Sequence, residues 1–146
     1  MEKFLILTCC AIFLALLFYT GMTLSSSPTR YVPPSYMEEY ENWDPHGFQD
    51  YLHFCKYVYP QGAESLFKNS KNYRQMEKAD VQTVQFYFEI IRKLLEYEPE
   101  RLKAFDFPFA SVNAGDCFRL DGDRSDFNIY FYDVETATLY FAHRNI

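Results

Sequence analysis

The first apolar run of the chain, Phe4 to Leu24, contains no charged residue. A helix rises about 1.5 Å per residue, so roughly 20 apolar residues cross a bilayer core of about 30 Å. The run therefore predicts one N-terminal transmembrane helix at 1–24. Lys3 lies on its N-terminal side, and Arg30 is the basic residue nearest its other end. The positive-inside rule then predicts a cytoplasmic N-terminus and an extracytoplasmic C-terminal part, single-pass in the cell membrane. The length of the run fits an uncleaved signal anchor. Thr23-Leu24-Ser25 is a passable cleavage triplet, which leaves a secreted form as the alternative.

Beyond the run, 25–42 is rich in Ser, Pro and acids and reads as a flexible juxtamembrane tether. The globular part is expected over 43–146. Asp44 and Pro45 predict a helix start, and Phe48, Tyr51, Leu52, Cys55, Val58 and Tyr59 form one apolar stripe at helical spacing. That predicts a first helix ending before Pro60. Ala63–Phe67 predicts a single helical turn. Asp80 is placed to cap a second helix over Val81–Tyr97, with Val84, Phe88, Ile91 and Leu95 as its central stripe and Val81, Tyr87 and Leu94 beside them. Glu89 and Lys93 are spaced for a helical ion pair.

The period then changes to two. Cys117–Leu120, Phe127–Asp133 and Thr138–His143 predict three strands separated by Asp- and Gly-rich turns. Alternation assigns Phe118, Leu120, Phe127, Ile129, Phe131, Leu139 and Phe141 to one face. Cys117, Asn128, Tyr130, Tyr132 and Tyr140 fall on the other. The expected fold class is α+β, with two main helices packed on a three-stranded antiparallel sheet and the transmembrane helix in front. The second face of that sheet would be a tyrosine-rich outer surface, with Tyr130, Tyr132 and Tyr140 as candidate binding residues; His143, on the core-facing parity at a strand end, is a further candidate.

Composition adds limits. The formal net charge is −6, and Lys and Arg are scattered, so nucleic acid is excluded as a partner. Cys55 and Cys117 are the cysteines outside the N-terminal run. In an exported domain they are a possible disulfide; two separate buried thiols are the alternative. No zinc spacing occurs, and His46 and His53 on one predicted helix face do not make a metal site.

Asp121-Gly122-Asp123-Arg124-Ser125-Asp126 resembles the start of a calcium loop. Asp126 replaces the turn Gly, Tyr132 replaces the bidentate Glu, and a strand follows it instead of a helix. No motif calls for a metal or cofactor. A thiol nucleophile would need Cys55 with His53, or Cys117 with His143, yet neither Cys sits in an activating motif.

Gly115-Asp116-Cys117-Phe118, Tyr130-Phe131-Tyr132-Asp133 and the C-terminal Leu139–Ile146, following a helix, resemble small uncharacterised exported or membrane-anchored proteins of Gram-positive bacteria. The resemblance covers about residues 50–146. It implies a fold and a compartment rather than a reaction. The expected function is a membrane-tethered, non-enzymatic binding module that meets a protein partner at the cell envelope. The rival is a small enzyme or ligand-binding domain using His143 with Asp116 or Asp121.

Overall fold

Strands with apolar residues on both sides can lie in the middle of a molecule with a core on each face. Four strands among the described residues have such a pattern. The computed structural model describes residues 28–41 and 51–145. Pro28–Tyr31, a short 3-10 turn, belongs to one compact unit, and the elements below belong to a second, Pro33–Ile146.

The second unit holds six strands among the described residues: β1 (Glu38–Glu41), β2 (Tyr51–Val58), β3 (Arg74–Gln75), β4 (Cys117–Gly122), β5 (Phe127–Asp133) and β6 (Thr138–Asn145). They form one sheet in the order β1-β2-β6-β5-β4-β3, with every neighbouring pair antiparallel. Three helices accompany it: α1 (Glu64–Lys68), α2 (Lys78–Leu95) and α3 (Pro99–Ala104).

The expected three-stranded sheet behind a transmembrane helix is thus corrected to a six-stranded antiparallel sheet. No helix among the described residues is long and apolar enough to cross a membrane. The expected span at 4–24 lies outside them, as do Trp43, Asp44, Pro45, His46 and Phe48 of the expected first helix.

The rest of that helix is strand β2. In β2, Leu52 and Phe54 point to the helix side, while His53, Cys55 and Tyr57 point away. Phe54, Cys55 and Tyr57 are all buried. An apolar run with a core on either side carries no strong period, and here the bulky β-formers decide for a strand. The expected tether also contains structure, because Glu38–Glu41 pair with Cys55–Val58 as the sheet's first strand.

α2 begins earlier than the sequence suggests. Glu77 is its N-cap, and Asp80, three residues on, accepts a hydrogen bond from the Glu77 backbone N–H at 2.8 Å in a capping box. Its stripe Val84, Phe88, Ile91 and Leu95 is buried against Phe118, Phe127, Ile129, Phe131, Tyr140 and Ala142 of the sheet. Leu94 is instead exposed, and Glu89 pairs with Arg92 rather than Lys93.

The opposite face of the sheet carries a second core, made of rings. Phe67 of α1 stacks on Tyr132 with centroids 3.7 Å apart. Tyr59 meets Tyr132 edge-on, and Tyr73 does the same to Tyr130. Edge-on and offset contacts of this kind add to the gain from burying the rings themselves.

The β5–β6 connection sets which residue joins which core. Asp133 lies opposite Thr138 across a loop of Val134–Ala137, so Phe131 faces Tyr140 and Tyr130 faces Phe141. Tyr140 therefore sits on the helix side and Phe141 and Leu139 on the other, the reverse of the expected assignment. Their relative polarity gave no guide, because both faces are cores.

Candidate functional site

Where β3 ends after two residues, the chain preceding it turns away from β4. A cleft of about 410 Å³ opens between the two. This is within the range of roughly 300–1,000 Å³ usual for small-ligand sites.

Two arginines flank it. Arg74 leaves β3 on the helix side and lies over the Phe118 ring, 4.4 Å from its centre. Its Nη1 and Nη2 donate to the two carboxylate oxygens of Asp80 at 2.7 and 2.5 Å. This fork holds the Asp80 carboxyl below its usual range. Arg119 leaves β4 on the opposite side. Its Nε and Nη2 donate to Asp121 at 2.6 Å each, and its Nη1 donates to the Asn72 carbonyl at 3.1 Å.

A guanidinium has five N–H donors, and each fork uses two. The forks fix the planes of both cations, and Arg119 gives a further N–H to the Asn72 carbonyl. Lys71, exposed on the rim, adds a third positive charge, and Phe118 and Leu120 supply apolar wall. Asp80 and Asp121 line the same cleft, so Lys71 is the cation there with no acidic partner in either fork. The cleft can receive a carboxylate or phosphate with two or more directed hydrogen bonds.

Asp121 also begins a row of polar residues across the face away from α2. Asp121 lies opposite Asn128, Asn128 opposite His143, and His143 opposite His53. Directly opposed residues have Cβ atoms about 5 Å apart. Burial, together with the neighbouring His53, lowers the His143 pKa despite opposing contributions from Asp126 and the Phe127 backbone. One step along the same face, the Cys55 Sγ is 3.0 Å from His53 Nε2.

The candidates named from sequence scatter across this structure. Tyr130, Tyr132 and Tyr140 are 1%, 0% and 6% exposed, so they form no surface patch. Tyr130 and Tyr132 share the ring core with Cys117, whereas Tyr140 lies under α2. Burial pushes the Tyr132 hydroxyl up to about 12. His143 shares a row with Asp121, but β5 stands between them.

Asp116 is elsewhere, roughly 16 Å along β4 from Asp121. It is buried, and it accepts hydrogen bonds from the backbone N–H groups of Asn113 at 2.8 Å and Val134 at 3.1 Å. It ties the loop before β4 to the loop after β5. The carboxyl's burial raises its pKa.

Cys55 and Cys117 are buried thiols not bonded to each other. They lie on β2 and β4, with β6 and β5 between. Three strand spacings put them about 14 Å apart, beyond the roughly 7 Å that a disulfide can join. Burial pushes the Cys117 thiol up to about 11.

The calcium-like segment is the β4–β5 turn. Asp123 turns its Oδ1 inward to accept from the Ser125 N–H and hydroxyl and from the Asp126 N–H. Among the described residues no three His, Cys, Asp or Glu side chains are grouped to hold a metal ion.

The grouping of Lys71 and Arg74 with Arg119 was not legible from sequence because Arg119 is far from the other two in the chain. Asp121 was expected in the turn after the Cys117–Leu120 strand, whereas β4 continues to Gly122 and so puts Asp121 on one face with Arg119. No protein family matches the chain, and no match is found among curated proteins or solved structures.

Proposed function

We propose that this chain is a non-enzymatic binding module, tethered to a membrane, whose cleft takes an anionic segment of extended chain. The observation that carries the reading is the pair of arginine forks, Arg74–Asp80 and Arg119–Asp121, on the two sides of one sheet edge. Held guanidiniums lose little freedom when a second anion arrives, which favours recognition by preorganisation. The β4 edge supplies backbone groups for an extended segment, and Phe118 and Leu120 supply apolar contact.

The uncharged run 4–24 supports the tether, and the Lys3 and Arg30 distribution supports display outside the cell. Protease treatment of intact cells carrying a C-terminal tag tests that placement. Loss of the tag agrees with it, and survival until lysis contradicts it.

The cleft is tested with the full-length chain and a fluorescent hexapeptide of alternating Glu and Val. Arg74→Gln combined with Lys71→Ala should weaken binding about tenfold or more, equivalent to roughly 1.4 kcal/mol or more. The melting temperature should stay within a few degrees. Equal affinity in the variant, or no binding to the wild type, removes the reading. An enzyme using His143 and Asp121 would need a direct contact between them, and Asn128 occupies the position between.

A further inference from the structure

Six large apolar or aromatic side chains are exposed among the described residues: Met37, Tyr40, Leu66, Phe86, Leu94 and Tyr97. Such residues exposed singly are ordinary, whereas a contiguous group marks a surface that meets something. Three of the six fall together. Phe86, Ile90 and Leu94 follow one another in four-residue steps along α2, and Tyr97 comes three residues after Leu94. Phe86 to Leu94 covers about 12 Å of helix, and Tyr97 extends the row beyond the helix end. Ile90 still touches the core, but Phe86 is 42% exposed and Tyr97 is 89% exposed.

The charges beside the row suit a boundary between apolar and wet. Arg92 donates to both carboxylate oxygens of Glu89 at 2.8 and 2.6 Å, and its Nη1 lies 3.7 Å from Glu96. Arg101 pairs with Glu98. Each of these neighbouring acids therefore has a cation against it. Lys93 is exposed beside Leu94, and the Arg124 guanidinium lies 5.1 Å from the centre of the Phe86 ring. Long basic side chains lay their stems along apolar surface and carry their heads to water or phosphate. The remaining exposed apolar residues are placed differently. Met37 and Tyr40 stand among the exposed carboxylates of Glu38 and Glu39, and Leu66 is on α1, across the sheet from α2.

The length of chain ahead of the second unit says what meets the row. Eight residues, 25–32, separate the apolar run 4–24 from Pro33, where that unit begins. Fully extended, they reach about 30 Å. With the run in a bilayer, the unit stays within that reach of the lipid surface, and a contact too weak to hold a free protein suffices for a tethered one. We infer that the row Phe86, Ile90, Leu94 and Tyr97 docks on the phospholipid surface that the chain's own N-terminal run crosses, with its two rings at headgroup level. This inference rests on the tether proposed above and makes no use of the cleft.

The test uses the full-length chain reconstituted in vesicles of phosphatidylcholine and phosphatidylglycerol. Trp43→Phe removes the only tryptophan, and one is then placed by Phe86→Trp, by Tyr97→Trp or by Leu66→Trp. Lipid brominated near the glycerol end of its acyl chains should quench most of the emission of the first two and shift it to shorter wavelength. The Leu66→Trp chain should keep its aqueous emission. Adding Phe86→Ser and Leu94→Ser to the Tyr97→Trp chain should restore the emission with the melting temperature unchanged. Unquenched emission at positions 86 and 97, or equal quenching at all three positions, overturns the inference. In the unaltered chain, hydroxyl radicals should label Tyr97 more slowly than Tyr40, although Tyr97 is 89% exposed and Tyr40 50%. Labelling of Tyr97 as fast as Tyr40 or faster overturns it too.

Flotation of the same vesicles distinguishes this failure from that of the tether. A chain that floats with the lipid while its row stays wet keeps the tether and loses the docking. A chain that does not float loses both.

Discussion

Arg74 and Asp80 face each other as a fork, with two N–H···O bonds of 2.7 and 2.5 Å, and the same carboxylate accepts the Glu77 N–H. One acid thus closes the start of α2 and sets the plane of a cleft arginine. Asp80→Asn should lower stability by about 1 kcal/mol, the usual worth of a helix cap. It should also weaken binding of the acidic peptide. The pH sign follows from the lowered pKa of Asp80. Its stability contribution is present above the unfolded value of 3.8 and is lost as pH falls through the folded value. Urea midpoints should show a smaller acid loss in the variant than in the wild type, and an unchanged acid limb would contradict the pairing.

His143 gives a different pH dependence. Its folded pKa lies below the unfolded value of 6.5, so the folded state binds fewer protons than the unfolded one. The contribution is complete above 6.5 and declines as pH falls through that value toward the folded pKa. Burying a charged imidazole, with His53 beside it, is the physical reason. In His143→Gln, the change in urea midpoint between about pH 7.5 and about pH 5 should shrink. A variant as acid-sensitive as the wild type would place the titration elsewhere.

The ring core on the side away from α2 is as necessary as the one beneath it. Phe67→Ala removes the ring stacked on Tyr132 and leaves a cavity against buried Tyr59 and Tyr73. The expected cost is about 3–5 kcal/mol. Tyr132→Ser should be of the same order. Chemical denaturation measures both, and a loss under about 1 kcal/mol would mean the face is not packed as described.

Asp116 joins two loops through backbone N–H groups of Asn113 and Val134. Asp116→Ala leaves both donors without their acceptor, at an expected cost of about 1–3 kcal/mol each where burial persists. Its raised pKa works in the opposite sense to Asp80. The contribution of that titration is full below the unfolded value and is lost as pH rises through the folded value. Amide exchange at Asn113 and Val134 should quicken in the variant, and unchanged protection would remove the proposed tie.

Gly122 closes the β4–β5 turn at φ +95, where an added Cβ would meet the Asp126 carbonyl oxygen at 2.1 Å. Gly122→Ala must shift the turn in addition to straining its own backbone, with left-handed strain alone worth about 1–2 kcal/mol. Melting temperature is the direct readout. A variant as stable as the wild type would show that the turn has another accessible shape.

How much of this was legible depended on whether a segment faces water. α2 has one wet face, and its stripe Val84, Phe88, Ile91 and Leu95 was readable from period alone. β4 and β5 were readable because Asp- and Gly-rich turns bound them. β2 was not, because Phe54 and Cys55 are buried on opposite sides and the alternation disappears. β1 was hidden by its composition, since Glu38, Glu39 and Glu41 on an exposed edge look like solvated chain. The cleft was illegible for a further reason. Arg74 and Arg119 meet only because β3 pairs with β4 across more than forty residues of sequence.

The loop Val134–Ala137 decides more than a change of direction. With Asp133 opposite Thr138, it sends Tyr140 to one core and Phe141 to the other. Lengthening or shortening it by one residue would exchange every side chain of β6 between the two cores. His143 would leave the polar row, replaced by Arg144 on shortening and by Ala142 on lengthening. A change of two residues would restore the partition. Length variation at this hairpin should therefore be tolerated in even steps, so that a single-codon deletion in the loop would be more damaging than a two-codon one.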